Sequence, residues 1–149
     1  MNYLVLTEEN LVNESENLYI VKDLSVIKHF RKIVKLMVGD AIKVVVVNVG
    51  FGRARIQQIS REKLEVLVEE VSPPVTRKLH LALAGVRPLM AKRIFEHAST
   101  MGVQAFHFFQ SDLSEKSYFN SAIYQKKQYE QYLLKGIAQT GIYAKIPEV

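Results

Sequence analysis

In "KLEVLVEEV", residues 63–71, Leu64, Val66 and Val68 alternate with Glu65, Leu67 and Glu69. A period of two predicts a half-buried strand. The same reading predicts strands in "NYLVL" and "NLYIV" near the start, and in "AIKVVVVNV" and "GRARIQQIS" before it. Turn chemistry separates the later ones at Asn48–Gly52 and at Ser60–Glu62. In "LSVIKHFRKIVKLMVGD" the period changes. At ~100° per residue, Val26, Ile27, Phe30, Ile33, Val34 and Met37 fall on one face of a helix. Lys28, Arg31, Lys32 and Lys35 fall on the other. Asp23 or Ser25 suits the N-cap, and Gly39 suits a left-handed residue just past the end. Short strands around one helix predict a small β-barrel rather than a layered sheet.

"SPPVT", residues 72–76, breaks this pattern, because two adjacent prolines cannot continue a central ladder. Residues 73–76 are therefore read as a linker between residues 1–72 and residues 77–149. After it, "KLHLALAGV" is a near-continuous apolar run, expected of a strand covered by helices on both faces. Pro88 suits the first turn of a helix whose stripe is Met90, Ile94, Ala98 and Met101, ended by Gly102. "VQAFHFF" is a second strand. "SAIYQKKQYEQYLLKGIAQTG" is a second helix with a stripe of Tyr129, Leu133, Gly136 and Ile137. The order β-α-β-α is the first half of a parallel, doubly wound sheet. Two strands would leave open edges and uncovered helix surface. The chain is thus expected to be a piece of a longer protein, or to be completed by a second copy.

Composition changes this picture little, but charge does. The 149 residues are 48% apolar and 23% charged, as in globular proteins. No apolar run reaches the ~18 residues that would span a bilayer. The N-terminus lacks the features of a secretory signal, so the cytoplasm is the expected compartment and no membrane partner is expected. Without cysteine there can be no disulfide and no thiolate metal site. The net charge of +5 is unevenly spread. Glu8, Glu9, Glu14 and Glu16 make the start acidic, whereas residues 22–55 are strongly basic. An acidic partner such as nucleic acid fits this distribution, and a merely solvated lysine face is the competing reading.

Motifs for chemistry are missing. "AGVRPLMAKR" has one glycine where a dinucleotide fingerprint needs three, and there is no P-loop. His29, His80, His97 and His107 are isolated in sequence, with none of the spacing of a metal site. His80 and His107, in strand-like runs, read as core or rim residues. Asp112 and Glu115 suit a cap on the next helix better than acid–base work. No metal is expected.

The order of parts does carry a resemblance. "HFRKIVKLMVGDAI", residues 29–42, is similar to the motif H-(H/L)-x-x-V-L-R-x-x-x-G-D-x-I of the bacterial 16S rRNA uridine-N3 methyltransferases, the E-type small-subunit family of the knotted SPOUT superfamily. It is followed in register by Ala54–Arg55–Ile56 for A-x-I, "TMGV" for E-L-G-V, "SDLS" for S-E-R-S, and "AQTGIYAKIPEV" for the family's E-Q-S-x-R and I-P-E-V region. The resemblance spans essentially the whole chain. It implies an α+β, two-domain protein: a PUA-like RNA-binding barrel, then the first β-α-β-α half of a Rossmann-like SPOUT domain without its knot. The implied activity is methylation of uridine N3 in 16S rRNA with S-adenosylmethionine. The implied partners are rRNA of the small ribosomal subunit and a second copy, as a homodimer.

Its departures are specific. The family's lysine in the first SPOUT helix falls at His97, and the glutamate before L-G at Thr100. Leu113 replaces an arginine, Ala138 a glutamate, and Ile142 stands near another arginine's place. Gln139 and Arg87 remain as polar residues of this half. The segments G-P-E-G-G and L-G-x-R-I-L-R-x-E-T-A, which build the family's cofactor pocket, do not occur. The resemblance therefore implies no cofactor-binding residue in this chain, leaves its catalytic residues unassigned, and makes it inactive alone. Lys28, Arg31, Lys32, Lys35, Arg53 and Arg55 are the implied RNA-binding cations, holding phosphates without reading bases. A non-catalytic RNA-binding module that self-associates through its SPOUT half is the alternative. An unrelated basic α/β protein is a third.

Overall fold

Strands form where apolar and polar residues alternate most regularly. The computed structural model describes residues 3–149. Asn2, the first residue of the earliest predicted strand, lies outside them. The elements are β1 (Leu4–Leu6), β2 (Leu11–Asn13), β3 (Leu18–Val21), α1 (Leu24–Lys28), β4 (Ala41–Val46), β5 (Gly50–Ile59), β6 (Leu64–Ser72), β7 (His80–Ala84), α2 (Pro88–Thr100), β8 (Ala105–Phe109) and α3 (Lys126–Ile137). Residues Tyr3–Pro73 form one compact unit and Pro74–Val149 another.

In the first unit six strands pair in the order β1-β4-β5-β6-β3-β2. β1 runs parallel to β4, and the other pairs are antiparallel. Inward residues of the edge strand β1, Leu4 and Leu6, and of β3 next to the opposite edge, Tyr19 and Val21, join one core with Val44, Ile56, Leu64 and Val66. A sheet whose distant strands share one core has curled round it. Each fully buried aliphatic side chain there contributes roughly 1.5–3 kcal/mol. β2 escapes a periodicity reading because its three residues pair with β3 only through a register shift. The turn before β5 is also shorter than its composition suggests. Asn48 takes the left-handed conformation (φ 65°), whereas Gly50 and Gly52 already lie in the strand. A Cβ on Gly52 would overlap the Glu70 carbonyl, so close approach of β6, not the turn, requires this glycine.

The predicted helix is cut short. Asp23 is its N-cap: Oδ1 accepts from the Ser25 amide at 2.8 Å and from the Val26 amide at 3.3 Å. The Ser25 hydroxyl, donating to the same oxygen, is the main reason the Asp23 carboxyl is held below its ordinary pKa. After Lys28 the backbone widens into a π turn over His29–Ile33, where the Val34 amide donates to the His29 carbonyl at 3.1 Å. Lys35 then takes a left-handed conformation (φ 59°), so Lys35 and not Gly39 ends the helix. The widened turn breaks the 100° phase. Ile27 and Phe30 reach the core, whereas Ile33, Val34 and Met37, predicted on the same face, are exposed. Gly39 does have a positive φ, but inside the loop that leads into β4.

In the second unit β7 and β8 pair in parallel, with His80 opposite Ala105 and Ala84 opposite Phe109. Leu81, Leu83, Phe106 and Phe108 pack against Phe95 of α2 and Leu133 of α3. Both helices thus serve one sheet face. The other, with His80, Ala82 and His107, is exposed, which corrects the expectation of cover on both sides. The stripe of α2 is also shifted: Ala91, Phe95, Ala98 and Ser99 are buried, while Met90 and Met101 are exposed. Small residues win there because α3 lies close. The Ser99 hydroxyl is 2.9 Å from the Leu133 carbonyl, and a Cβ on Gly136 would overlap Ser99 Oγ and the Glu96 carbonyl. The stripe of α3 is as the spacing predicts, with Leu133, Gly136 and Ile137 buried and Tyr129 half-buried. The edge of β8 is not fully open. Phe106 donates to the Glu148 carbonyl at 2.8 Å, and Glu148 to that of Gln104 at 3.0 Å, as a further parallel strand would begin.

Candidate nucleic-acid interface

The pairing of β3 with β6 sets Val21 opposite Leu64. The chain leaving β3 into α1 therefore starts beside the β5–β6 turn. Within that turn the Ser60 hydroxyl oxygen accepts from the Glu62 and Lys63 amides at 3.1 Å each, which fixes the backbone around Arg61. Between helix and turn lies a cleft of about 440 Å³ lined by Leu24, Ile27, Lys28, Arg31, Lys32 and Arg61. The two ion pairs found among the described residues are Arg55–Glu69 and Lys63–Glu65, so neither uses a cation of this cleft. Four uncompensated positive charges around one concavity concentrate an attractive potential for anions.

The predicted cations thus separate. Lys28, Arg31 and Lys32 come together in the cleft. Lys35 stands beyond them on the loop after the π turn, exposed. Arg53 is exposed on β5, opposite Lys43 and Glu70. Arg55, exposed on the same strand, is already engaged within the unit. Its Nε donates to Glu69 Oε1 at 2.6 Å, Nη2 to Oε2 at 3.3 Å, and Nη1 to the Gly39 carbonyl at 3.0 Å. A guanidinium with both edges engaged is a strut. Arg61 is the residue that the sequence reading missed. A lone arginine in a strand–strand turn gives no linear signal linking it to residues 28–32, and only the β3–β6 pairing does.

In the second unit the polar residues mostly serve the fold. Arg87 is the N-cap residue of α2, and its Nε donates to the Tyr118 hydroxyl at 3.3 Å, which pushes its pKa further up. The Tyr124 hydroxyl donates to the Val86 carbonyl at 3.0 Å and pins the β7–α2 turn, and burial raises its pKa. Gln139 Nε2 donates to Glu96 Oε1 at 2.9 Å, and Thr100 Oγ1 donates to the Glu96 carbonyl at 2.9 Å. Leu113 is 99% exposed, in a loop closed by the Ser111 and Ser114 hydroxyls at 2.7 Å. Asp112 is exposed in this loop. Glu115 precedes a short 3₁₀ turn, but its carboxylate accepts from Ser117 Oγ and caps no backbone amide. His80 and His107 stack on the exposed face of β7–β8, with Nδ1 and Nε2 3.1 Å apart. No three metal-binding side chains cluster among the described residues. No helix among them is long and apolar enough to cross a membrane.

Comparison with known proteins gives the chain a family through its second unit. The ribosomal RNA small subunit methyltransferase E of Treponema pallidum is 29% identical over 115 residues, covering 76% of this chain and 43% of that protein. Methyltransferase E 1 of Borreliella burgdorferi is 36% identical over 63 residues, 42% of this chain and 26% of that one. The chain therefore spans less than half the length of these two relatives. A crystal structure of the Neisseria gonorrhoeae ribosomal RNA small subunit methyltransferase E bound to S-adenosyl methionine superposes with a TM-score of 0.70 at 10% identity, covering 99% of this chain and 60% of that one. The likeness shows a shared α+β fold. The model of the RNA methyltransferase domain family matches residues 73–149, and the chain belongs to that family.

Proposed function

We propose that the chain serves the methylation of uridine N3 in small-subunit rRNA, in the cytoplasm, and that its own part is to bind and orient the RNA. The Tyr3–Pro73 unit acts as a PUA-like barrel, and the Pro74–Val149 unit as the first half of a SPOUT domain. The observation that carries this reading is the cleft of four unpaired cations, Lys28, Arg31, Lys32 and Arg61. Such a surface suits phosphates and positions a backbone. The relatives' shared assignment to small-subunit rRNA supports the choice of RNA.

The cleft does not suit S-adenosylmethionine. That molecule carries a sulfonium cation, which the four cations would repel. In the second unit Gln139 is held by Glu96 and Arg87 by Tyr118. The G-P-E-G-G and L-G-x-R-I-L-R-x-E-T-A segments do not occur in the 149 residues. On this reading the cleft serves the RNA and not the methyl donor.

A second element of the reading is self-association as a homodimer through the Pro74–Val149 unit. It is favoured by the uncovered face of β7–β8 and the half-exposed Phe109 at its end. Fluorescence anisotropy with labelled small-subunit rRNA fragments tests RNA binding. The expected result is saturable binding that weakens linearly in log affinity against log salt. Absence of binding at low salt would overturn the reading.

A further inference from the structure

Just past the cationic cleft, the end of the π turn and the loop after it present aliphatic side chains to solvent. Ile33 is 71% exposed, Met37 68% and Val38 65%, and Val34 is exposed beside them. This tip is not a slack segment. The Leu36 amide donates to the Phe30 carbonyl at 3.1 Å, and Leu36 packs on the core. The Gly39 amide donates to the Ile56 carbonyl at 2.8 Å, and Asp40 Oδ2 accepts from the Met37 amide at 2.8 Å. Arg55 holds the Gly39 carbonyl from the sheet. At its centre Lys35 occupies a left-handed conformation that a non-glycine residue adopts at a cost. π turns of this kind gather at functional sites. A braced, strained loop that turns aliphatic groups outward is built for a contact.

The chemistry of that contact is set by its neighbours. Ile33 and Val34 lie between Lys32 and Lys35, and lysine is depleted at the core of protein–protein interfaces. Alternating cations and aliphatic groups instead match RNA, whose phosphates flank the apolar faces of its bases. The deep groove of a regular RNA duplex excludes side chains, so such a tip requires an unpaired or unstacked base. Aliphatic wedges of Ile, Leu or Met against opened base steps are an established use of such side chains. We propose that Ile33, Val34, Met37 and Val38 form an aliphatic tip that packs against an unstacked base, while the adjacent cleft holds the phosphates beside it. This rests on the reading of the first unit as RNA-binding. It adds the class of RNA preferred: a helix interrupted by a bulge or loop, not a continuous duplex.

The test uses the full chain and two fluorescein-labelled RNA hairpins of equal length, one with a continuous stem and one with a two-nucleotide bulge. Wild type should prefer the bulged hairpin by about tenfold. A double variant, Ile33→Ser with Met37→Ser, should lose that preference with its salt slope unchanged. Ile33→Leu with Met37→Leu should keep it. Circular dichroism and thermal melting verify that both variants fold. Equal wild-type affinity for the two hairpins would overturn the proposal while leaving RNA binding intact. Binding of neither would overturn the underlying reading as well. A folded serine variant that keeps the preference but loses self-association in light scattering would mean that the tip meets a second copy, which would also overturn it.

Discussion

The guanidinium of Arg55 bridges two strands, with Nε 2.6 Å from Glu69 Oε1. Its other edge, through Nη1, supports the Gly39 carbonyl of the loop that follows α1. An arginine that the sequence reading places among the RNA-binding cations thus braces the loop beside the cationic cleft.

Arg55→Ala should therefore act on order more than on charge. The ion pair is largely exposed and worth at most about 1 kcal/mol. The melting temperature should fall by only a few degrees. Hydrogen exchange at the Gly39 amide should speed up, and the salt slope of RNA binding should stay unchanged because no phosphate contact is lost. A slope reduced by nearly one would restore Arg55 to the RNA-binding set.

Asp23 gives a pH test. Its carboxyl is held below the ordinary value of 3.8, chiefly by the Ser25 hydroxyl. A group whose folded pKa is depressed stabilises the fold above its unfolded value and loses that contribution as pH falls through the folded one. Asp23→Ala should cost about 1 kcal/mol at pH 7. The difference between variant and wild type should shrink as pH drops below 3.8. Urea melts at neutral and acid pH measure it, and a pH-independent difference would show that the cap is not the source.

Gly136→Ala should be the most damaging small substitution in the second unit. Its Cβ would overlap Ser99 Oγ and the Glu96 carbonyl where α2 and α3 meet. Overpacking of this kind costs about 1–3 kcal/mol. Ser99→Ala, which removes the hydrogen bond to Leu133 but leaves space, should cost about 1 kcal/mol. Denaturant unfolding ranks the two, and the reverse order would contradict the close packing.

On the proposed reading the chain should show no saturable binding of S-adenosylmethionine in calorimetry, because the four cations lining the cleft repel its sulfonium. One-to-one binding at micromolar affinity would require a pocket elsewhere.

Most strands were legible because period-two runs such as Leu64–Val68 leave one register open. The β-α-β-α order was legible for the same reason, through its change of period. The helix face was not. A single π turn shifts the phase after Phe30, and nothing in "HFRKI" announces it. Of the α2 stripe, Ala98 is buried as the spacing suggested, but Met90 and Met101 are exposed, and Ala91, Phe95 and Ser99 are buried instead. Three of the four cleft cations could be read from helical spacing. Arg61 could not, because its place depends on which strands pair.

The central claim is that the Lys28–Arg31–Lys32–Arg61 cleft holds RNA phosphates. Its most direct test is anisotropy titration of a small-subunit rRNA fragment across a salt series, comparing wild type with the variant Lys28→Glu, Arg31→Glu, Lys32→Glu and Arg61→Glu. The four side chains surround the cleft and take part in neither ion pair found among the described residues, so the variant should fold. It should lose measurable binding. Single changes to Ala at the same positions should each lower the salt slope by ~0.7–0.9. A folded quadruple variant that binds with wild-type affinity and slope would contradict the account.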